Sequence, residues 1–314
     1  MADKQATREA YGKALLSLGA ENPNVVVLDA DLSKSTKTAD FGKKYPERFF
    51  NMGIAEANLL GTAAGLAAAG KIPFASTFAI FAVGRAFEQI RNSIAYPKLN
   101  VKIAATHSGI SVGEDGGSHQ AIEDVAIMRA VPNMVVLVPA DGEETRQAIF
   151  AAANYYGPVY IRMGRLDVPL LFGEDYSFEI GKANILKEGT DVAIMANGLM
   201  VSMAMEAADD LAAEGINVSV VNVASVKPLD EETIVRIAKA TKAVVTAEEH
   251  NVIGGLGSAI AEVLAERQPT PMVRVGLKDT FGESGKPTEL LEKYGLTKLE
   301  LVKAVHEVLA KKQG

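Results

Sequence analysis

The side chains best suited to chemistry gather in one glycine-rich stretch, Thr106-His-Ser-Gly-Ile-Ser-Val-Gly-Glu-Asp-Gly-Gly-Ser-His-Gln120. The chain has only four histidines, and two of them, His107 and His119, fall here beside Glu114 and Asp115. Imidazoles with a carboxylate suit proton transfer and the recognition of sugar hydroxyls. Four glycines let the backbone approach a ligand closely. A metal site and a purely structural loop stay open as rival readings, although a histidine-to-histidine spacing of twelve fits no common zinc pattern.

Glu56 is the second candidate. It is the sole ionisable side chain between Met52 and Gly70, set among Ile54, Ala55, Ala57, Leu59 and Leu60. A carboxyl in such company loses solvation, which raises its pKa and lets it share a proton with a ligand nitrogen. The plainer alternative is an exposed glutamate in the first turn of a helix, where the dipole favours it. Asp29 and Asp31 end a short apolar run, the place where open α/β sheets bind ligands, or else they cap a loop. Phe74, Phe78 and Phe81 can stack on a flat heterocycle or simply fill a core. Gly254-Gly-Leu-Gly257 can seat an anion, but it lacks the third glycine of a dinucleotide fingerprint and reads equally as a helix start.

These residues need elements to hold them. Periodicity predicts a helix over about Arg8–Leu18 and a buried strand over Val25–Leu28. A helix over Ala55–Ala69, a strand near Pro73–Ser76 and a helix over Gly84–Ala95 follow. Strands at Val101–Ala105, Val135–Val138 and Val159–Ile161 complete a first unit, residues 1–168. The pattern loosens between Leu166 and Gly189, which reads as a linker over 169–189 with a short edge strand. A second unit, 190–314, has strands at Val192–Ala196, Val218–Val223, Ala243–Ala247 and Met272–Val275. Its helices run over Met200–Glu214, Glu231–Ala240, Leu256–Glu266 and the C-terminus. Alternation of this kind implies an α/β fold of two doubly wound, mostly parallel units.

Composition narrows the class. A hydrophobic share of 48% with 23% charged residues is ordinary for a soluble globular protein. The net charge of −7 argues against nonspecific nucleic-acid binding. Cysteine is absent, so the core forms without disulfides and a reducing compartment is permitted. The amino terminus lacks the apolar core of a secretory signal, and the longest apolar stretch, Leu59–Gly70, falls short of the ~18 residues a membrane span needs. The expectation is a cytoplasmic protein with no membrane partner.

Several motifs in order are more telling than any one. Ala6-Thr-Arg-Glu-Ala10, Asp29-Ala-Asp-Leu-Ser-Lys-Ser35, Gly53-Ile-Ala-Glu56, Ser76-Thr-Phe-Ala-Ile-Phe81 and Gly113-Glu-Asp-Gly-Gly-Ser-His-Gln120 resemble the motifs of transketolases. Ile161-Arg-Met-Gly-Arg165 and Ser284-Gly-Lys-Pro-Thr-Glu-Leu-Leu291 carry the likeness through the rest of the chain. The resemblance is to the second half of a full-length transketolase: a pyrimidine-binding domain followed by a C-terminal domain.

That resemblance implies ketol transfer with thiamine diphosphate in the pentose phosphate pathway. Glu56 resembles the glutamate that shares a proton with N1′ of the aminopyrimidine, which in turn activates the cofactor's C2. Phe81 and Phe78 resemble the pyrimidine pocket, and Asp31 a carboxylate near the cofactor. Asp115 and His119 resemble residues that contact the donor's hydroxyls, so Glu56 and His119 are the implied catalytic pair. Arg8, Ser35, His107 and Arg165 resemble the set that holds the sugar phosphate, and arginine forks suit phosphate. Gly84 stands where some transketolases carry a tyrosine.

No Gly-Asp-Gly with its downstream asparagine occurs in this chain. The diphosphate and its Mg2+ or Ca2+ are therefore implied to sit on an N-terminal partner subunit, with an α2β2 heterotetramer as the assembly and no metal held here. The β subunit of a 2-oxo acid dehydrogenase, a deoxyxylulose-phosphate synthase-like subunit and a noncatalytic assembly subunit are the rival readings. The Gly113–Gln120 loop and the arginines favour a sugar phosphate.

Overall fold

Val25–Asp29 is buried at every position in the computed structural model, which describes residues 3–173 and 175–313. An unbroken apolar run is what a strand covered on both faces requires. It pairs in parallel with Ile72–Phe78 on one side and Phe49–Asn51 on the other. The sheet continues through Lys102–Thr106, Val159–Arg162 and Val135–Leu137, all parallel. Its far edge is Ser225–Lys227, antiparallel and contributed from beyond the linker. The first sheet thus closes with a strand from the second unit.

The second sheet has the order Met272–Leu277, Val244–Asn251, Val192–Ala196, Val218–Asn222 and Asn184–Lys187. Only Asn184–Lys187 is antiparallel, and it is the edge strand expected in the linker. Asp167–Pro169 makes a separate two-stranded ribbon with Lys4–Ala6. The linker is pinned rather than loose. Asp141 accepts from the Leu171 and Phe172 amides at 2.6 and 2.9 Å. Glu144 accepts from Tyr176 and Asn222, and burial pushes its pKa up to about 7.

Helices cover both faces of each sheet. Glu56–Ala68 turns Leu59, Leu60, Ala63, Ala64 and Ala67 to the core. The helix expected over Gly84–Ala95 is two pieces, Ala79–Arg85 and a wide π-type turn over Gln89–Ala95. The first starts directly after the strand ends at Phe78, and Ala86 leaves the helical region (φ −124°). Gly84 supports a helix poorly. The break lets Ile90 and Ile94 reach the core while Arg85 stays at the sheet's rim. Three short strands, Lys4–Ala6, Phe49–Asn51 and Ser225–Lys227, carry too few residues to show a period of two.

Candidate active site

The strands Val25–Asp29, Ile72–Phe78, Lys102–Thr106 and Val159–Arg162 are parallel, so their carboxyl ends share one rim. Parallel sheets place ligand-facing loops there. Phe78 ends its strand, and its ring stacks on His107 with centroids 3.9 Å apart and planes at 22°. Phe81, one turn into the following helix, lies 5.7 Å from Phe78 at 14°. His119 meets Phe81 edge-on at 5.1 Å. Phe74, by contrast, is fully buried against Tyr11 and belongs to the core.

Glu56 opens its helix and is 5% exposed. Its Oε1 accepts from Arg85 Nη1 at 2.9 Å. The Arg85 guanidinium lies 4.1 Å over the Phe81 ring, which ties the carboxylate to the aromatic cluster. Sequence reasoning missed Arg85. The available signal was its position four residues after Phe81 on one helix, where side chains meet. Gly84 beside it has open space, since an added Cβ would meet only Ile80 Cδ1 at 4.0 Å.

A second group lies on the same rim. Arg8 donates to the Ser35 carbonyl at 2.9 Å, and its Nε is buried with no partner among the described residues. His107 has positive φ (54°), and its Nδ1 is 2.9 Å from Thr106 Oγ1. Burial, then the charges of Arg8 and Arg165, push its pKa down to about 3. The imidazole is therefore neutral, a hydrogen-bonding group and not a cation, at any ordinary pH. Arg165 bonds the Val112 carbonyl and pairs with Glu114 at 3.2 Å. Arg8, Ser35, His107 and Arg165 thus converge, although they are far apart in sequence.

Asp31 and Asp115 are exposed, and no direct contact joins either to the aromatic cluster among the described residues. Asp31 sits at φ 63° and exchanges hydrogen bonds with Asn51. Its neighbour Asp29 is buried and accepts from Leu32 N, Thr36 Oγ1 and Thr38 Oγ1 at 2.6, 2.6 and 2.9 Å, so it is the loop cap. The glycines at 254–257 are likewise a helix start, with the Leu256 and Gly257 amides bound to the chain's own Glu248.

One expectation needs correction. The glycines of the 106–120 loop do not serve the approach of a ligand. An added Cβ would fall 2.2 Å from Glu249 Cδ at Gly109, 2.9 Å from Pro287 Cγ at Gly113 and 2.5 Å from Ser284 Oγ at Gly116. At Gly117 it would lie 2.8 Å from the Gly282 carbonyl. All four face the second unit. Among the described residues no three His, Cys, Asp or Glu side chains form a group able to hold a metal, and no helix is long and apolar enough to cross a membrane.

Residues 3–169 match the family model for the transketolase pyrimidine-binding domain, and residues 181–301 that for the transketolase C-terminal domain. The chain belongs to the transketolase family. A split-gene transketolase, solved as an inactive β4 tetramer, is 64% identical, with a TM-score of 0.92 over 98% of this chain and 99% of that one. A Methanocaldococcus jannaschii chain provisionally named a transketolase C-terminal section is 52% identical across 97% of this chain and 96% of its own length. The 6-deoxy-6-sulfo-D-fructose transketolase subunit of a Clostridium species is 47% identical over 97% and 95%.

Membership in the transketolase family implies dependence on thiamine diphosphate. The residues here fit its flat pyrimidine. Phe78 and Phe81 present near-parallel rings, and Glu56 keeps one carboxylate oxygen free of partners among the described residues.

Proposed function

We propose that this chain is the C-terminal subunit of a split transketolase, moving a two-carbon ketol unit from a ketose phosphate to an aldose phosphate. The observation that carries the reading is the joined cluster of Glu56, Arg85, Phe81, Phe78, His107 and His119, set beside the Arg8–Arg165 group. Stacked rings next to a buried carboxylate suit a heterocycle that must exchange a proton. Paired arginines suit a tetrahedral anion. A noncatalytic scaffold needs neither.

In this reading Phe78 and Phe81 hold the pyrimidine, and Glu56 holds the proton at its N1′ while Arg85 braces the carboxylate. Bound there, thiamine diphosphate supplies the carbon nucleophile that takes up the two-carbon unit. His119 and Asp115 recognise the donor's hydroxyls, with His119 moving a proton. Neutral His107, Ser35, Arg8 and Arg165 hold the anionic end, and Asp31 lies at the cofactor's edge. The pyrimidine-binding domain covers 1–168, the linker 169–189 and the C-terminal domain 190–314.

An N-terminal partner subunit supplies the diphosphate and Mg2+ or Ca2+ ligands, in an α2β2 assembly in the cytoplasm. Support comes from relatives of this length that are themselves named as a section, a subunit and a split-gene product. A donor ending in a sulfonate is the second reading, favoured by the Clostridium relative. The test is a coupled assay of ketol transfer from xylulose 5-phosphate to ribose 5-phosphate, with and without the partner, beside 6-deoxy-6-sulfo-D-fructose as donor. Turnover of the phosphate donor only when both chains are present is the expected result. Turnover of neither donor by the assembled enzyme rejects the reading.

A further inference from the structure

The loop that carries Asp115 and His119 rests on the second unit along most of its length. Its four glycines press against Glu249, Gly282, Ser284 and Pro287. The Ser111 amide donates to Glu249 Oε1 at 2.7 Å, and both residues are buried. Gln120, at the loop's other end, donates to the Glu283 carbonyl at 2.9 Å. The Asn251 amide donates to the Ile122 carbonyl at 2.8 Å.

Glu249 is itself fixed from the first unit. Arg162 Nη2 donates to its carbonyl at 2.9 Å and to that of Ala121 at 3.1 Å, while Arg162 Nε pairs with buried Asp124 at 2.8 Å. Glu249 also borders a cavity of about 20 Å3 lined by Thr7, Ser111, Arg162 and Gly164 among others. Thr7 and Gly164 adjoin Arg8 and Arg165. A buried carboxylate is costly to keep unless something needs it. Among the described residues the Glu249 carboxyl accepts from the Ser111 amide of the loop, and the charge of Arg162 acts on it as well.

We propose that Glu249 is a positioning residue for donor recognition, through which the C-terminal domain holds the loop bearing Asp115 and His119. This rests on the transketolase reading of those two side chains. Glu249 touches no substrate in this account. It fixes the Ser111 end of the loop while Gln120 fixes the other, so the C-terminal domain acts in the reaction without entering the site.

The test compares Glu249→Ala and Glu249→Gln. Glutamine keeps an acceptor for the Ser111 amide, whereas alanine removes it. In the chain itself, hydrogen exchange of the 108–120 segment speeds up about 10-fold or more in Glu249→Ala, the cost of leaving a buried amide without its acceptor. Exchange in Val192–Ala196 and Val244–Ala247 stays unchanged, and Glu249→Gln stays close to wild type. In the enzyme assembled with its N-terminal partner, Glu249→Ala raises the ketose KM about 10-fold with thiamine diphosphate affinity unaltered. Unchanged loop exchange, acceleration spread across the whole second sheet, or a loosened loop with the donor KM unmoved each overturns the proposal. Failure of the transketolase reading shows separately, as absent ketol transfer by the assembled wild-type enzyme.

Discussion

Two helices, one in each α/β unit, begin beside strand ends and treat a glutamate in opposite ways. In the second unit, Glu248 reaches from its strand to the start of Leu256–Arg267 and accepts from the Leu256 and Gly257 amides at 2.6 and 2.8 Å. The helix dipole and the orphan amides are answered by the chain itself. In the first unit, Glu56 begins its helix with no side-chain cap and turns its carboxylate toward Arg85 and the aromatic cluster. One rim has spent its polar groups on its own backbone. The other leaves one Glu56 carboxylate oxygen and the buried Arg8 Nε without a partner among the described residues. On the proposed function, the difference separates a unit that binds from a unit that braces, although both have the same layered architecture.

Breaking the outward glutamate has the largest expected effect. Glu56→Gln keeps the volume and the hydrogen bonding but cannot hold the proton in balance. Turnover of the assembled enzyme should fall ~10²–10⁴-fold while assembly persists. Steady-state kinetics at saturating cofactor decides this, and near wild-type turnover would remove Glu56 from the chemistry.

The anionic end of the same rim comes next. Arg165→Ala removes a charge-assisted donor worth ~1.5–3 kcal/mol, about 10- to 150-fold in affinity. The loss should appear in KM for xylulose 5-phosphate and spare a phosphate-free donor such as hydroxypyruvate, because the phosphate does not change charge in the reaction. Equal losses on both donors would assign Arg165 to the Val112 and Glu114 contacts alone.

The inward glutamate sharpens the contrast at smaller cost. Glu248→Ala leaves two buried amides without an acceptor, which should lower stability by about 1–3 kcal/mol. Urea unfolding measures this, and the donor KM of the assembled enzyme should not move. A raised donor KM at unchanged stability would mean that the two rims are not divided in this way.

Much of this was legible in the sequence because it rests on local pattern. Val25–Leu28 and Val192–Ala196 are unbroken apolar runs, and parallel strands of that kind announce themselves. The cluster at the first sheet's rim was signalled by ordered motifs, since Phe78 ends a strand, Phe81 lies one turn into the next helix and His107 directly follows a strand. What escaped depends on contacts distant in sequence. Ser225–Lys227 is too short to show a period and becomes a strand only by joining Val135–Leu137 of the other unit. Glu249 looks like any residue of a strand until the fold sets it against Gly109 and Ser111. The loop glycines pointed to close approach, and the sequence alone could not say that a second domain was what approached.

The central claim is that this chain holds the pyrimidine side of a cofactor site whose diphosphate side lies on another chain. Calorimetry with thiamine diphosphate and Mg2+ tests it directly, on the chain alone and on the chain with its N-terminal partner. The account predicts weak or no binding by the chain alone and tight binding by the complex. Submicromolar binding by the chain alone would contradict it.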